Sequence, residues 1–244
     1  MSWGPGPRYL LRRHCVLRIV RDLAPARVLE VGCGAGDLLA RLAARGCEAV
    51  GVDASDAARA EASRRVAAFA PRVALRPDLP GGVFDLVLAF EVLEHIEDER
   101  AALRSWRERI RPGGHLLLSV PAHRSRWGPS DVWAGHWRRY ERDELAARLR
   151  EAELEVDFIW SYGFPLANWV EPLRERFAAG RNAQEAGMDI AQRNARSGVE
   201  RSRLERIAGR LIEGPLIAPF CWLQRAFLER DWGNGYLALA RRSA

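Results

Sequence analysis

The chain has 244 residues, 48% of them apolar, with 38 basic and 32 acidic side chains and a formal net charge of +6. That composition supports a buried core and a single globular domain, or one domain carrying an elaboration. No apolar run approaches the roughly 18 residues of a membrane-spanning helix, and the scattered excess of arginine reads as a solvated surface rather than a polyanion site.

The N-terminal segment, residues 1–24, is helical in pattern, and its Arg12, Arg13 and Arg18 interrupt the continuous apolar stretch that a secretory signal requires. Cys15, Cys33, Cys47 and Cys221 form neither a CxxC pair nor a zinc-ligand spacing. They read as free thiols in a reducing compartment, so a cytoplasmic protein is expected.

From residue 27 short aliphatic runs alternate with longer helical patterns: "RVLEV", "GDLLARLAARG", "EAVGVD", "ASDAARAEASRRVAAFA", then "RVALR", "FDLVLAF", "EDERAALRSWRERI", a stop at "RPGG", and "HLLLSVP". This is the order of a parallel sheet covered by helices, with ligands bound beyond the carboxyl ends of the strands. Trp106, at helical spacing from Leu103 and Ile110, is expected in the core. From Pro165 to Asp231 the pattern is helical, as in "LANWVEPLRERFAA", "VERSRLERIAGRLIE" and "LIAPFCWLQRAFLER", with the polar stretch "GRNAQEAGMDIAQRNARSG" expected to form a loop. Residues 165–232 are therefore expected to be a helical insertion, a cap, before the last strand "GYLALARR". The apolar "LIAPFCWLQRAFL" suits an acceptor pocket, peripheral contact with a membrane surface, or packing against the sheet.

The first strand runs into "EVGCGAGD". Gly32, Gly34 and Gly36 lie between a strand and a helix start, where glycine lets the backbone turn sharply and approach a ligand. Asp53 ends the second strand, well placed to accept both hydroxyls of a ribose. The set points to a nucleotide-type cofactor. These residues, together with "VGVD", "FDLVLAFEVLEHI", "RPGGHLLLSVP" and "LAARLREAELEV", resemble the class I S-adenosylmethionine-dependent methyltransferases over residues 25–164 and again at the last strand. The resemblance implies a Rossmann-like α/β fold with a seven-stranded, mostly parallel sheet and an antiparallel last strand, the catalytic domain being residues 25–164 and 233–244. It implies S-adenosylmethionine as cofactor, held by Glu30, Gly32, Gly34, Gly36 and Asp53, with Asp78 facing the adenine and Phe90 and Glu91 adjoining.

"FEVLEH" follows the fourth strand. At helical pitch Glu91, Glu94 and His95 would share one face of a turn, which suits a metal site, acid–base chemistry, or an ordinary solvated helix start. The cluster is similar to the ExxEH group of two metal-dependent branches, the small-RNA 2′-O-methyltransferases and the catechol O-methyltransferases of ubiquinone biosynthesis. Likeness to the RNA branch brings in His136, from "DVWAGHWRRY", as a further ligand, with His123 as the other candidate. The expectation is thus a divalent cation such as magnesium on Glu91, Glu94, His95 and His136, or His95 and His136 acting as bases without one. The expected partner is a hydrophobic small-molecule acceptor, a quinone precursor or secondary metabolite, rather than nucleic acid. RNA 2′-O-methylation and a non-catalytic cofactor-binding module remain the alternatives.

Overall fold

The computed structural model describes residues 4–184 and 216–243. After α1 (Pro7–Leu23) come β1 (Arg27–Val31), α2 (Asp37–Ala43), β2 (Glu48–Val52), α3 (Asp56–Val66), β3 (Val73–Arg76), β4 (Phe84–Phe90), α4 (Glu99–Glu108), β5 (Ile110–Pro121), α5 (Pro129–Ala134), α6 (Arg142–Glu151), β6 (Leu154–Tyr162), α7 (Leu166–Gln184), α8 (Ala218–Leu223) and β7 (Gly235–Arg242). Seven strands form one sheet in the order β3-β2-β1-β4-β5-β7-β6. β7 runs antiparallel to both neighbours, β5 and β6, while the other pairs are parallel. The expected seven-stranded fold is the one observed.

Sequence chemistry explains the layout. "FDLVLAF" lies at the sheet's centre and is covered on both faces, as its nearly unbroken apolar run requires. Trp106, Leu103 and Ile110 lie in the core against it. Ser55 and Asp98 cap α3 and α4 through their side chains, each accepting an N–H three residues on. The "RPGG" stretch differs from expectation. It is part of β5, and the pairing with β4 slips there, from Phe84 opposite Ile110 to Leu86 opposite His115. Gly113, at φ 72°, absorbs the irregularity.

Two elements stand over the carboxyl edge of the sheet. The N-terminal segment is the long helix α1, whose Leu10 and Leu11 pack with Ala167 of α7, Cys221 of α8 and Ile217 just before it. α7 in turn packs on the short α5, where Glu175 accepts from the Ser130 backbone N–H at 2.9 Å and from its hydroxyl. The expected helix at "VERSRLERIAGRLIE" and most of the expected polar loop lie outside the described residues.

Candidate active site

The carboxyl ends of β1, β2 and β4 are level, with Val31 opposite both Val52 and Ala89, so the turns that follow them share one rim. After β1, Gly32, Gly34 and Gly36 all adopt the left-handed conformation, at φ 69°, 51° and 73°. Each is glycine for its own reason. A Cβ on Gly32 would stand 2.4 Å from Val92 Cγ2, and one on Gly36 2.9 Å from Ala62 Cβ, so both allow close packing. A Cβ on Gly34 would meet nothing within 4 Å. That is the position left open toward a ligand.

Asp53 ties this loop to β2. Its carboxylate accepts the Gly34 N–H at 2.9 Å and the Ser55 N–H at 3.0 Å. Glu30 is buried, its Oε2 has no hydrogen-bond partner, and burial raises its pKa to about 8 against the pull of Arg12. A buried carboxyl with an unused oxygen beside an open glycine loop fits the cationic methionine end of S-adenosylmethionine. Asp78 is exposed, two residues past β3, on the same rim as Asp53, whose N–H bonds the Arg76 carbonyl.

The turn after β4 differs from the sequence expectation. Glu91 takes φ 56°, and the helical turn that follows is a short 3-10 turn from Leu93 to His95. Glu91, Glu94 and His95 therefore do not share a helical face. Glu91 points toward α1, 2.9 Å from Arg8 and 3.2 Å from Arg12, and accepts from Ser119 Oγ at 2.8 Å and Tyr162 OH at 3.1 Å. Burial opposes its charge, yet Arg8 and Arg12 outweigh that and bring its pKa down to about 2. The Phe90 ring is covered by the Arg12 guanidinium, 5.2 Å away.

Glu94, His95 and His136 do come together, with one ligand atom of each within 4.8 Å of the others. Glu91 is not in this group, a correction to the expected four-residue set. Glu94 is fully buried and neither carboxyl oxygen has a hydrogen-bond partner. Burial, then the charge of Glu91, holds its pKa far above the ordinary carboxyl range. His95 meets His136 edge to face at 4.7 Å, and its Nδ1 is unpartnered. Burial, then His136, lowers the His95 pKa to about 4, so this imidazole is neutral. His136 Nε2 lies 3.9 Å from Glu94, while Nδ1 is 2.8 Å from the buried Asp131. Asp131 is itself gripped by Arg139, Nε at 2.9 Å and Nη2 at 2.8 Å. A carboxylate on Nδ1 selects the tautomer that leaves Nε2 free to accept a proton or a cation.

His123 stands apart. Its ring nitrogens are taken by the Gly233 carbonyl at 3.1 Å and the Tyr236 hydroxyl at 3.4 Å. Among the aromatic residues that follow β5, Tyr140 is buried, whereas Trp127 and Trp137 are exposed. Sequence reasoning missed Arg8, Arg12, Ser119, Asp131, Arg139 and Tyr162. Two signals for them were present. Arg8 and Arg12 are one helical turn apart, and Ser119 is the one hydroxyl in the apolar run "HLLLSVP".

These features define a Rossmann-like methyltransferase rim, and a sequence profile described as a methyltransferase domain matches residues 8–165. The chain belongs to the methyltransferase-domain family. It is 34% identical over 117 residues to a ubiquinone biosynthesis O-methyltransferase of Alkalilimnicola ehrlichii, covering 45% of this chain and 47% of that protein. It is 33% identical over 163 residues to a probable S-adenosylmethionine-dependent methyltransferase of Mycolicibacterium smegmatis, covering 61% and 60%. The chain thus spans about half to three fifths of the length of these relatives. Among solved structures, the [4+2]-cyclase SpnF superposes with a TM-score of 0.59 at 20% identity, over 97% of this chain and 82% of that one. The Haemonchus contortus phosphoethanolamine N-methyltransferase 2 bound to S-adenosyl-L-methionine superposes with a TM-score of 0.58 at 17% identity, over 96% and 53%.

Proposed function

We propose that the protein transfers the methyl group of S-adenosylmethionine to an oxygen of a hydrophobic small molecule, a quinone precursor or secondary metabolite, with His95 and His136 receiving the proton. One observation carries this reading. Beside the open glycine loop stand two imidazoles, His95 uncharged and His136 aimed by Asp131. S-adenosylmethionine supplies an electrophilic methyl on a sulfonium, so the chain need only orient the acceptor in line, exclude water and remove one proton. Similarity to ubiquinone biosynthesis O-methyltransferases supports oxygen as the methylated atom.

A divalent cation on Glu94, His95 and His136 extends the same reading, because one ligand atom of each lies within 4.8 Å of the others and the Glu94 oxygens and His95 Nδ1 have no hydrogen-bond partner, a donor set that suits a first-row ion or magnesium. A cation bound there would lower the pKa of an acceptor hydroxyl. Exposed Leu216 and Trp222 support peripheral contact with a lipid surface. A cyclase with this fold keeps a second reading open, in which the cofactor site serves something other than methyl transfer.

Incubation with S-adenosylmethionine and a panel of prenylated catechols tests the proposal. Methyl ether should form, and His95→Ala and His136→Ala should each lower kcat by about 10²- to 10⁴-fold while S-adenosylhomocysteine still binds. Intact cofactor binding with no turnover on any acceptor would favour the second reading.

A further inference from the structure

The segment that leads into β7 is pinned in place by Gln224. Its buried amide donates to the Leu11 carbonyl of α1 at 3.0 Å and accepts the Gly163 N–H just after β6 at 3.2 Å. The Leu228 carbonyl accepts the Ser161 N–H of β6 at 2.7 Å, and Ile217 and Cys221 pack on Leu10 and Leu11 of α1. Yet this fixed segment turns large apolar side chains outward. Trp222 is 72% exposed and Leu216 62%, and Leu223 is exposed as well. Phe220, in the same short helix, meets Trp169 of α7 edge to face at 6.3 Å, and Trp169 is also exposed, so the apolar surface continues from α8 onto α7. Anchored by its inner face, the segment gains nothing in folding from indoles left in water.

Trp222 also borders an open cavity of about 890 Å³ whose lining includes Arg18, Trp160, Arg225, Glu229 and Arg230. That lining has three guanidiniums to one carboxylate, and none of the three forms an ion pair among the described residues. Arg18 lies over the Trp160 ring at 5.6 Å, and that ring stacks on Phe158 at 4.1 Å. A guanidinium engaged through its flat face keeps its edge N–H groups for an anion. Elsewhere on the surface Arg100, Arg107, Arg111 and Arg124 each have a carboxylate partner.

Cations without partners, set beside tryptophan and leucine in water, match a lipid interface. Indole suits the boundary between headgroups and acyl chains, leucine the acyl side, and arginine the phosphates. Nucleic acid would use the arginines but leave Leu216 and Leu223 in water, and a small soluble anion would leave the whole apolar patch there.

We propose that residues 216–230, together with Arg18 of α1, form a docking site for an anionic phospholipid bilayer, with phosphates at Arg18, Arg225 and Arg230 and Trp222 at the acyl boundary. This rests on the lipid contact named above and gives it a charge requirement. α1, on which α8 packs, also reaches the cofactor loop, Tyr9 OH lying 2.8 Å from Asp37, so the docked surface and the rim share one helix.

Sedimentation of the full chain with vesicles tests the site, phosphatidylcholine alone against phosphatidylcholine mixed with phosphatidylglycerol. Each cation at an anionic surface strengthens partition by about fivefold, so the wild type should favour the mixed vesicles by about tenfold or more, and added salt should weaken that preference. Arg225→Gln with Arg230→Gln should bring the two partition coefficients within about threefold. Trp222→Ser should weaken binding to the mixed vesicles by about tenfold. All three side chains are exposed, so the Tm of each variant should match the wild type. Equal partition to both vesicles, or a preference that the double variant keeps, would overturn the anionic site and leave a plain apolar contact. Binding to neither vesicle would defeat the lipid contact beneath it as well. Self-association that depends on Trp222 without vesicle binding would assign the patch to a second copy, and RNA binding tighter than vesicle binding and lost in the double variant would assign it to nucleic acid, either result overturning the proposal. Methyl transfer is measured with the acceptor in solution, so its failure is read apart from these outcomes.

Discussion

At the scale of single residues, Asp53 and Glu30 carry different kinds of electrostatic work. Asp53 already accepts two backbone N–H groups, so it is held in place before any ligand arrives. Asp53→Ala should weaken S-adenosylhomocysteine binding by about tenfold or more, the worth of a charged hydrogen-bonded contact, as calorimetric titration would measure. Glu30 is a titration problem. Its pKa in the folded chain is about 8, above the ordinary carboxyl value of 4.5, so the folded state holds this proton more tightly than the unfolded chain. Stability from that proton is complete below about pH 4.5 and is lost as pH rises through 8. Glu30→Gln should therefore flatten the decline of denaturation midpoint between these pH values, relative to the wild type. A cationic cofactor favours the ionised form, so S-adenosylmethionine binding at pH 7 should release a proton from the wild type and none from Glu30→Gln. Titrations in buffers of different ionisation enthalpy read that difference. Asp131 is a third kind of case. Removing it leaves Arg139 buried without its carboxylate, and Asp131→Ala should cost on the order of 3–5 kcal/mol of stability by denaturant unfolding.

At the scale of elements, the glycine loop and the turn after β4 are coupled by packing, since Gly32 lies against Val92 and Val92 immediately precedes the turn that carries Glu94 and His95. Gly32→Ala incurs both left-handed strain and a 2.4 Å approach to Val92, whereas Gly34→Ala incurs only the strain, on the order of 1–2 kcal/mol. Gly32→Ala should lower Tm more, while Gly34→Ala should lose more cofactor affinity for each degree of Tm lost, because its new methyl enters the open face. Thermal scans with and without S-adenosylhomocysteine separate the two effects. The difference between these glycines also marks how far the sequence could be read. Alternating strand and helix patterns announced the sheet, and the glycines announced the left-handed loop that follows the first strand, because those signals are local. The turn at "FEVLEH" was misjudged because a positive φ at Glu91 is not written in residue spacing. It breaks the helical face and sends Glu91 to α1 rather than to His95. Arg8 and Asp131 were missed for a similar reason. Each acts through a partner far along the chain or across a loop, and only the packing of α1 and α5 over the rim brings them there.

At the scale of the whole molecule, the excess of arginine raises the question of a nucleic-acid partner, and the answer lies in where each cation is spent. Six guanidiniums of the described surface are paired with neighbouring carboxylates: Arg41 with Asp37, Arg100 with Glu151, Arg107 with Glu153, Arg111 with Asp85, Arg124 with Glu144, and Arg241 with Glu155. Each pair adds little stability by itself, but among the described residues each sets an anion beside its cation and so interrupts a positive stripe. A phosphate backbone needs such a stripe, because its affinity comes from several cations that release counterions together. The cations near the site are likewise engaged inward, with Arg12 on Glu91 and Arg139 on Asp131. Single-stranded RNA of about 20 nucleotides should therefore bind no more tightly than the non-specific range of about 10⁻⁴–10⁻⁶ M at physiological salt. Its affinity should change only shallowly with salt, since few phosphates would be neutralised at once. Fluorescence anisotropy of labelled RNA between about 50 and 200 mM salt makes the measurement. Sub-micromolar binding with a steep salt slope, accompanied by methylation of a ribose hydroxyl, would move the acceptor from a small molecule to RNA.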